Sequence, residues 1–253
     1  MMIAFFVVIP ILSLFIGGEL YRFAYALPRR SFGHLLPTCR ACGKRLPYRY
    51  LIPILGTILA RGRCPYCEEK RGYGCLLSEI AFAIGGFLIA FRYRISFLFL
   101  AYYVVAALLI LLSVIDLDSK EVPHGVLFFI MLIGLLFFIL SFFPKVALTE
   151  CVWWEHLVGE FVVSLPLFII MFITGGGIGG GDVKLMFCLG FLIGYKLALV
   201  TFFFAIVLAA IVSVILLLAF KKSGGFALPL VPFLSVGFVI AIVWGNDLIL
   251  ALF

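Results

Sequence analysis

Eight long apolar runs, nearly free of charge, occupy most of this 253-residue chain, and a fold surrounded by water cannot hide that many. They are Met1–Gly18, Cys75–Phe91, Ile95–Ile115, Val122–Pro144, Phe161–Gly181, Leu185–Tyr195, Leu197–Phe220 and Ser223–Asn246. Most approach the ~20 residues that carry a helix across ~30 Å of hydrocarbon. With 66% hydrophobic and 12% charged residues and a mean hydropathy of +1.30, too little polar surface remains for a soluble body of this size. The composition therefore predicts an all-α polytopic membrane protein of about eight transmembrane helices. Met1–Gly18 lacks the basic start and small-residue cleavage site of a signal peptide and is expected to stay as the first helix.

Charge placement sets the expected topology. Eleven of the 19 Lys and Arg lie between Arg22 and Arg71 against two acids, Glu68 and Glu69, so that stretch carries a net +9. A basic total of +7 can signal nucleic acid, but a basic block between apolar runs follows more simply from the positive-inside rule, and no nucleic-acid partner is expected. With this loop in the cytoplasm, eight crossings put Lys221–Lys222 inside and the C-terminus outside. The eleven-residue run Leu185–Tyr195 is short for a span, but without it the dilysine would fall on the wrong side. Lys145–Glu160, with Trp153, Trp154 and His156, is then an outer segment. The expected division is a first helix over 1–18, a cytoplasmic domain over 19–74, and seven membrane helices over 75–253.

The basic loop holds Cys39-Arg-Ala-Cys42 and Cys64-Pro-Tyr-Cys67, two CxxC pairs separated by 21 residues. Paired CxxC turns present four thiolates to one tetrahedral ion, which makes Cys39, Cys42, Cys64 and Cys67 a candidate structural zinc site. Disulfides fit a reducing cytosol poorly, while the spacing by itself also suits an iron–sulfur centre. Cys75, Cys151 and Cys188 stand apart and read as packing residues. The three histidines, His34, His124 and His156, have no ligand spacing to one another.

A second constellation is acidic. Asp116 and Asp118 end the run Ile95–Ile115, and Asp182 follows Gly179-Gly180-Gly181. The topology count places both at cytoplasmic helix ends. Carboxylates at a membrane boundary are costly and tend to be functional, and two that face one another can work as general base and general acid on water. In a continuing helix Asp116 and Asp118 are two steps of ~100° apart, so only one can face Asp182. Glu79, inside the Cys75–Phe91 run, suits an interfacial or packing role, and Lys184 an inside-facing anchor or a partner of the acids.

Four ordered segments resemble a known family. Gly179-Gly180-Gly181-Asp182-Val183-Lys184-Leu185 is similar to the GxGD motif of bacterial type IV prepilin peptidases, membrane aspartyl proteases that also often N-methylate the new terminus. Ile115-Asp116-Leu117-Asp118 with Val122-Pro123 resembles that family's first aspartate motif, the CxxC pairs its cytoplasmic zinc-type domain, and Leu228-Pro229-Leu230-Val231-Pro232-Phe233-Leu234 its Pro-x-x-Pro-Phe-Leu segment. Where the family usually has Arg-Leu-Pro and an Asn or Asp after the motif proline, this chain has Ala26-Leu27-Pro28 and His124. The resemblance implies a two-aspartate endopeptidase of the bacterial inner membrane, with Asp116 and Asp182 as the pair facing the cytoplasm and structural zinc on the four cysteines. It also implies S-adenosylmethionine as methyl donor. The implied partners are membrane lipid and prepilin or pseudopilin precursors, whose apolar helix stays in the membrane so that the cut bond waits at its edge. The competing classes are a proton-coupled transporter, which predicts acids near the bilayer midplane and repeat symmetry, and a non-catalytic assembly protein that docks through its zinc module.

Overall fold

The computed structural model of the chain describes residues 2–27, 39, 42–44, 47, 52–59, 63–69, 73–143, 151–175, 177, 179–220 and 228–252; His34, Arg45 and Lys221–Lys222 lie outside them. Every regular element among these residues is a helix: α1 (Met2–Ala26), α2 (Leu55–Leu59), α3 (Gly74–Tyr93), α4 (Phe97–Ser119), α5 (His124–Ser141), α6 (Trp153–Val162), α7 (Ser164–Ile173), α8 (Gly180–Phe220) and α9 (Val231–Leu252). The first helix runs past Gly18 to Ala26, carrying the Glu19–Arg22 ion pair on its last turns.

Seven helical segments among the described residues are long and apolar enough to cross a bilayer, α6 and α7 counting as one. The longest, α8, has 41 residues, about 60 Å if straight and twice what a bilayer needs. It turns at Gly194, whose φ of 77° and ψ of 167° are not helical. A side chain rarely tolerates that φ. Leu197 packs beside Gly245, and Thr201 and Ala205 lie against Gly237. Positions fall along α9 as they rise along α8, so the second arm of α8 runs antiparallel to α9. The two arms correspond to the apolar runs Leu185–Tyr195 and Leu197–Phe220, which is how eight runs in sequence become seven long segments.

The fifth expected span, Phe161–Gly181, is displaced. Its helical stretch begins at Trp153 and ends at Ile173, and Gly175 to Gly179 lies between helices. Glu155 and Glu160 make residues 153–160 look too polar to enter. In the fold Glu155 is buried and paired with Lys196 at 2.8 Å, while His156 is buried with Nδ1 donating to the Phe191 carbonyl at 2.7 Å. Because that carbonyl takes the Nδ1 proton, the ring needs no second charge. The break between α6 and α7 at Val163 has a covalent cause: Pro166 has no N–H to return to the preceding turn.

Lipid offers apolar helices no hydrophobic gain on meeting, so close backbone approach holds the bundle together. Gly17 on α1 lies against the Ser78 backbone of α3, Ser78 Oγ donates to the Gly17 carbonyl at 3.2 Å, and Gly86 leaves room for Ser13, whose hydroxyl meets Tyr103 at 2.7 Å. On the other side α6 crosses α8 at Gly159 and Gly190. Between these pairs lies the core, with α4 the most buried helix, including Val105, Leu109, Leu112 and Ile115.

Candidate active site and metal centre

α4 carries Asp116 and Asp118 to its cytoplasm-proximal end as still-helical residues, and the ~200° between them sorts them. Asp116 is 6% exposed on the core side, whereas Asp118 lies on the exposed side of the same turn. The helix stops at Lys120, which adopts a left-handed φ of 55° and donates its N–H back to the Asp116 carbonyl at 3.0 Å.

Asp182 arrives from the opposite direction, in the first turn of α8. Gly179 caps that helix, its carbonyl accepting from the Asp182 N–H at 3.1 Å, and a Cβ on Gly179 would stand 2.9 Å from Asp182 Oδ2. A Cβ on Gly181 would stand 2.5 Å from Val122 Cγ2. The glycines therefore let the start of α8 press on the segment that follows Asp116-Leu117-Asp118. That contact brings the two acidic motifs together, and Asp182 lies within electrostatic reach of Asp116.

A third element fixes Asp116. The N–H of Val231, at the start of α9, donates to Asp116 Oδ2 at 3.2 Å. First-turn amides have no partner within their own helix, so a carboxylate from α4 serves as the cap of α9. One turn further into the membrane Ser113 and Ser235 hydroxyls meet at 2.7 Å, and Ser235 also reaches the Leu109 carbonyl at 3.2 Å. This seam sets the register of α4 against α9, and so the height of Asp116. Backbone amides leave no trace in residue identity, and only the Pro-x-x-Pro segment around Val231 hinted at a role.

The four cysteines converge. Cys39 and Cys67 sulfurs are 3.6 Å apart, Cys42 and Cys64 sulfurs 4.0 Å, and all four lie within 4.8 Å of one another. A tetrahedral ion with metal–sulfur bonds of ~2.3 Å has sulfur–sulfur edges of about 3.8 Å, so the cluster suits such an ion. Both halves are the same knuckle. The N–H of Cys39 donates to the Lys44 carbonyl and Gly43 N–H to the Cys39 carbonyl; Cys64 N–H likewise donates to Glu69 and Glu68 N–H to Cys64. Gly43 and Glu68 occupy the matching left-handed position, with φ of 69° and 58°. Cys75, Cys151 and Cys188 lie outside the cluster.

Glu79 links this loop to the bundle. It is 3% exposed beneath Gly18, its Oε2 accepts from the Ile54 N–H at 2.8 Å, and its Oε1 accepts from the Cys75 thiol at 3.4 Å. The packing role expected from sequence thus becomes a specific tether. Lys184 is exposed, two residues beyond Asp182.

The sequence profile of the type IV leader peptidase family matches residues 103–214, and that of the bacterial peptidase A24 N-terminal domain matches residues 5–93. A prepilin leader peptidase/N-methyltransferase of Pseudomonas putida is 30% identical over 212 residues, 83% of this chain and 72% of that protein. This chain belongs to the type IV leader peptidase family. Similar proteins of the same description occur in Bacillus subtilis (strain 168), 28% identical over 84% of this chain and 83% of that one, and in Legionella pneumophila, 26% identical over 91% and 80%. No solved structure matches the chain. In the frame of this family, the profile over 103–214 contains both Asp116 and Asp182, and the N-terminal profile contains the four cysteines.

Proposed function

We propose that this chain is a membrane aspartyl endopeptidase that removes the leader of type IV prepilin-like precursors at the cytoplasmic face of a bacterial inner membrane, with Asp116 and Asp182 as its catalytic pair. N-methylation of the new terminus, with S-adenosylmethionine as donor, is the second activity of this reading. The supporting observation is the sorting of the acids: Asp116 is turned inward and held by an amide of α9, Asp182 is brought to it by the glycine contact with Val122, and Asp118 is turned away.

Chemically the pair divides one hydrolysis. One carboxylate takes a proton from water as its oxygen attacks the scissile carbonyl; the other gives a proton to the amine as the carbon–nitrogen bond breaks. The Val231 N–H, fixed on one oxygen of Asp116, leaves the other oxygen for water or substrate. Mass analysis of a prepilin incubated with the purified protein should show one cut that frees the leader, plus one methyl when S-adenosylmethionine is added. An intact precursor would refute the reading.

The Val231 contact makes a separate prediction. Proline is tolerated in the first turn of a helix, so Val231→Pro should keep α9 but delete the donor that orients Asp116. Cleavage should fall by about 10–100-fold, the effect of losing one orienting hydrogen bond of ~1.5–3 kcal/mol to a charged group, with KM little changed. Unchanged kcat would remove Val231 from the site.

Cys39, Cys42, Cys64 and Cys67 would hold zinc structurally, tying together a loop that has few apolar contacts of its own. Metal analysis should find about one zinc per chain, and Cys39→Ser with Cys64→Ser should release it and make the loop sensitive to protease. Undiminished zinc in that double variant would contradict the assignment.

A further inference from the structure

Beside the acidic pair lies a second feature that hydrolysis itself does not require. A groove of about 490 Å³ runs between α5, the α6–α7 pair and the first turns of α8, lined by Leu127, Phe161, Phe168, Val183, Lys184 and Phe187 among others. It begins at Val183, the residue after Asp182. Apart from Lys184, its lining residues bear no charge. Phe161 and Phe168 are each about half exposed on its outer wall, so it opens sideways to lipid. The bend at Val163, imposed by Pro166, tilts α7 relative to α6 and shapes that wall.

We propose that this groove receives the apolar segment that follows the cut bond in the precursor, lying lengthwise with one face against α7 and α8 and the other in lipid. The inference rests on the endopeptidase reading and names the substrate part that the site takes. Three features argue for this occupant. The groove is continuous with the Asp182 turn, so a chain lying in it passes the acids without leaving the membrane. Its volume holds the side chains along one face of a helix but not a helix of ~10–12 Å diameter, which fits an occupant half in lipid. Lys184, at the end beside Asp182, repels a cationic segment and leaves the rest of the groove to an uncharged apolar one.

The groove is tested in two ways on the full chain in lipid nanodiscs. A photoreactive benzoylphenylalanine replaces Phe168, with Asp182→Asn keeping the precursor uncut. The same probe at Phe203, an exposed apolar residue of the other arm of α8, is the reference. The Phe168 probe should crosslink to the precursor within its apolar segment, and the Phe203 probe should not. Crosslinks from Phe168 to lipid only, or equal capture from both positions, overturn the proposal. In the second arm Leu165→Trp narrows the groove at a half-exposed wall position away from the acids. It should raise KM for the membrane-embedded precursor about tenfold, while a peptide truncated just past the cut is processed as by the unmodified enzyme. Equal loss on both substrates, or loss on neither, overturns the groove assignment and leaves the endopeptidase standing. Failure of the unmodified enzyme to cut either substrate overturns the endopeptidase reading itself.

Discussion

Gly190→Val is expected to prevent the protein from reaching its folded state in the membrane. A Cβ on Gly190 would land on the carbonyl of Gly159, and a Cβ on Gly159 on the carbonyl of Gly190, so each glycine is the space the other's backbone occupies. Overpacking a core that can shift costs ~1–3 kcal/mol; here the obstacle is backbone, which cannot rotate aside, and a domain has only ~5–15 kcal/mol in total. The α6–α8 crossing also carries the His156–Phe191 hydrogen bond and the Glu155–Lys196 pair, which would separate with it. Gly125→Val is the matched control, because a side chain there meets nothing within 4 Å. Thermal unfolding in detergent should show a large loss for Gly190→Val and little change for Gly125→Val. Equal melting of the two would mean that the helices do not meet as described.

What could be read in advance follows from where the physics is local. Apolar runs announce membrane helices because hydrocarbon thickness sets their length, and the CxxC pairs announce a tetrahedral site because two knuckles suffice to build one. The rest depended on partners far along the chain. Glu155 and His156 disguised the start of the fifth span, since their compensation comes from Lys196 and the Phe191 carbonyl, some 35 to 41 residues away. The turn inside α8 rests on the φ of Gly194 alone, and sequence offered Lys196 as an equally good break. Helical phase said that Asp116 and Asp118 must differ, but packing against α9 was needed to say which one turns inward. The tether from Glu79 to Ile54 had no local sign beyond a charge within an apolar run.

The largest effect on activity is expected at the acids. Asparagine keeps the shape of aspartate and removes its proton chemistry, so Asp116→Asn and Asp182→Asn should each lower kcat by at least about 10³-fold while the precursor still binds. Asp118, on the exposed side of α4, should tolerate the same change with most activity kept. Because the two carboxylates act on one water and one leaving amine, the double variant should be scarcely slower than either single one.

The most direct measurement is therefore the time course of leader release by mass spectrometry for one purified prepilin with the unmodified enzyme and with Asp116→Asn, Asp118→Asn, Asp182→Asn and the Asp116/Asp182 double variant. The predicted result is release by the unmodified and Asp118→Asn enzymes and none by the other three. Full release by Asp182→Asn would contradict the two-aspartate mechanism, and full release by Asp116→Asn with loss in Asp118→Asn would move the first acid to the other side of the helix.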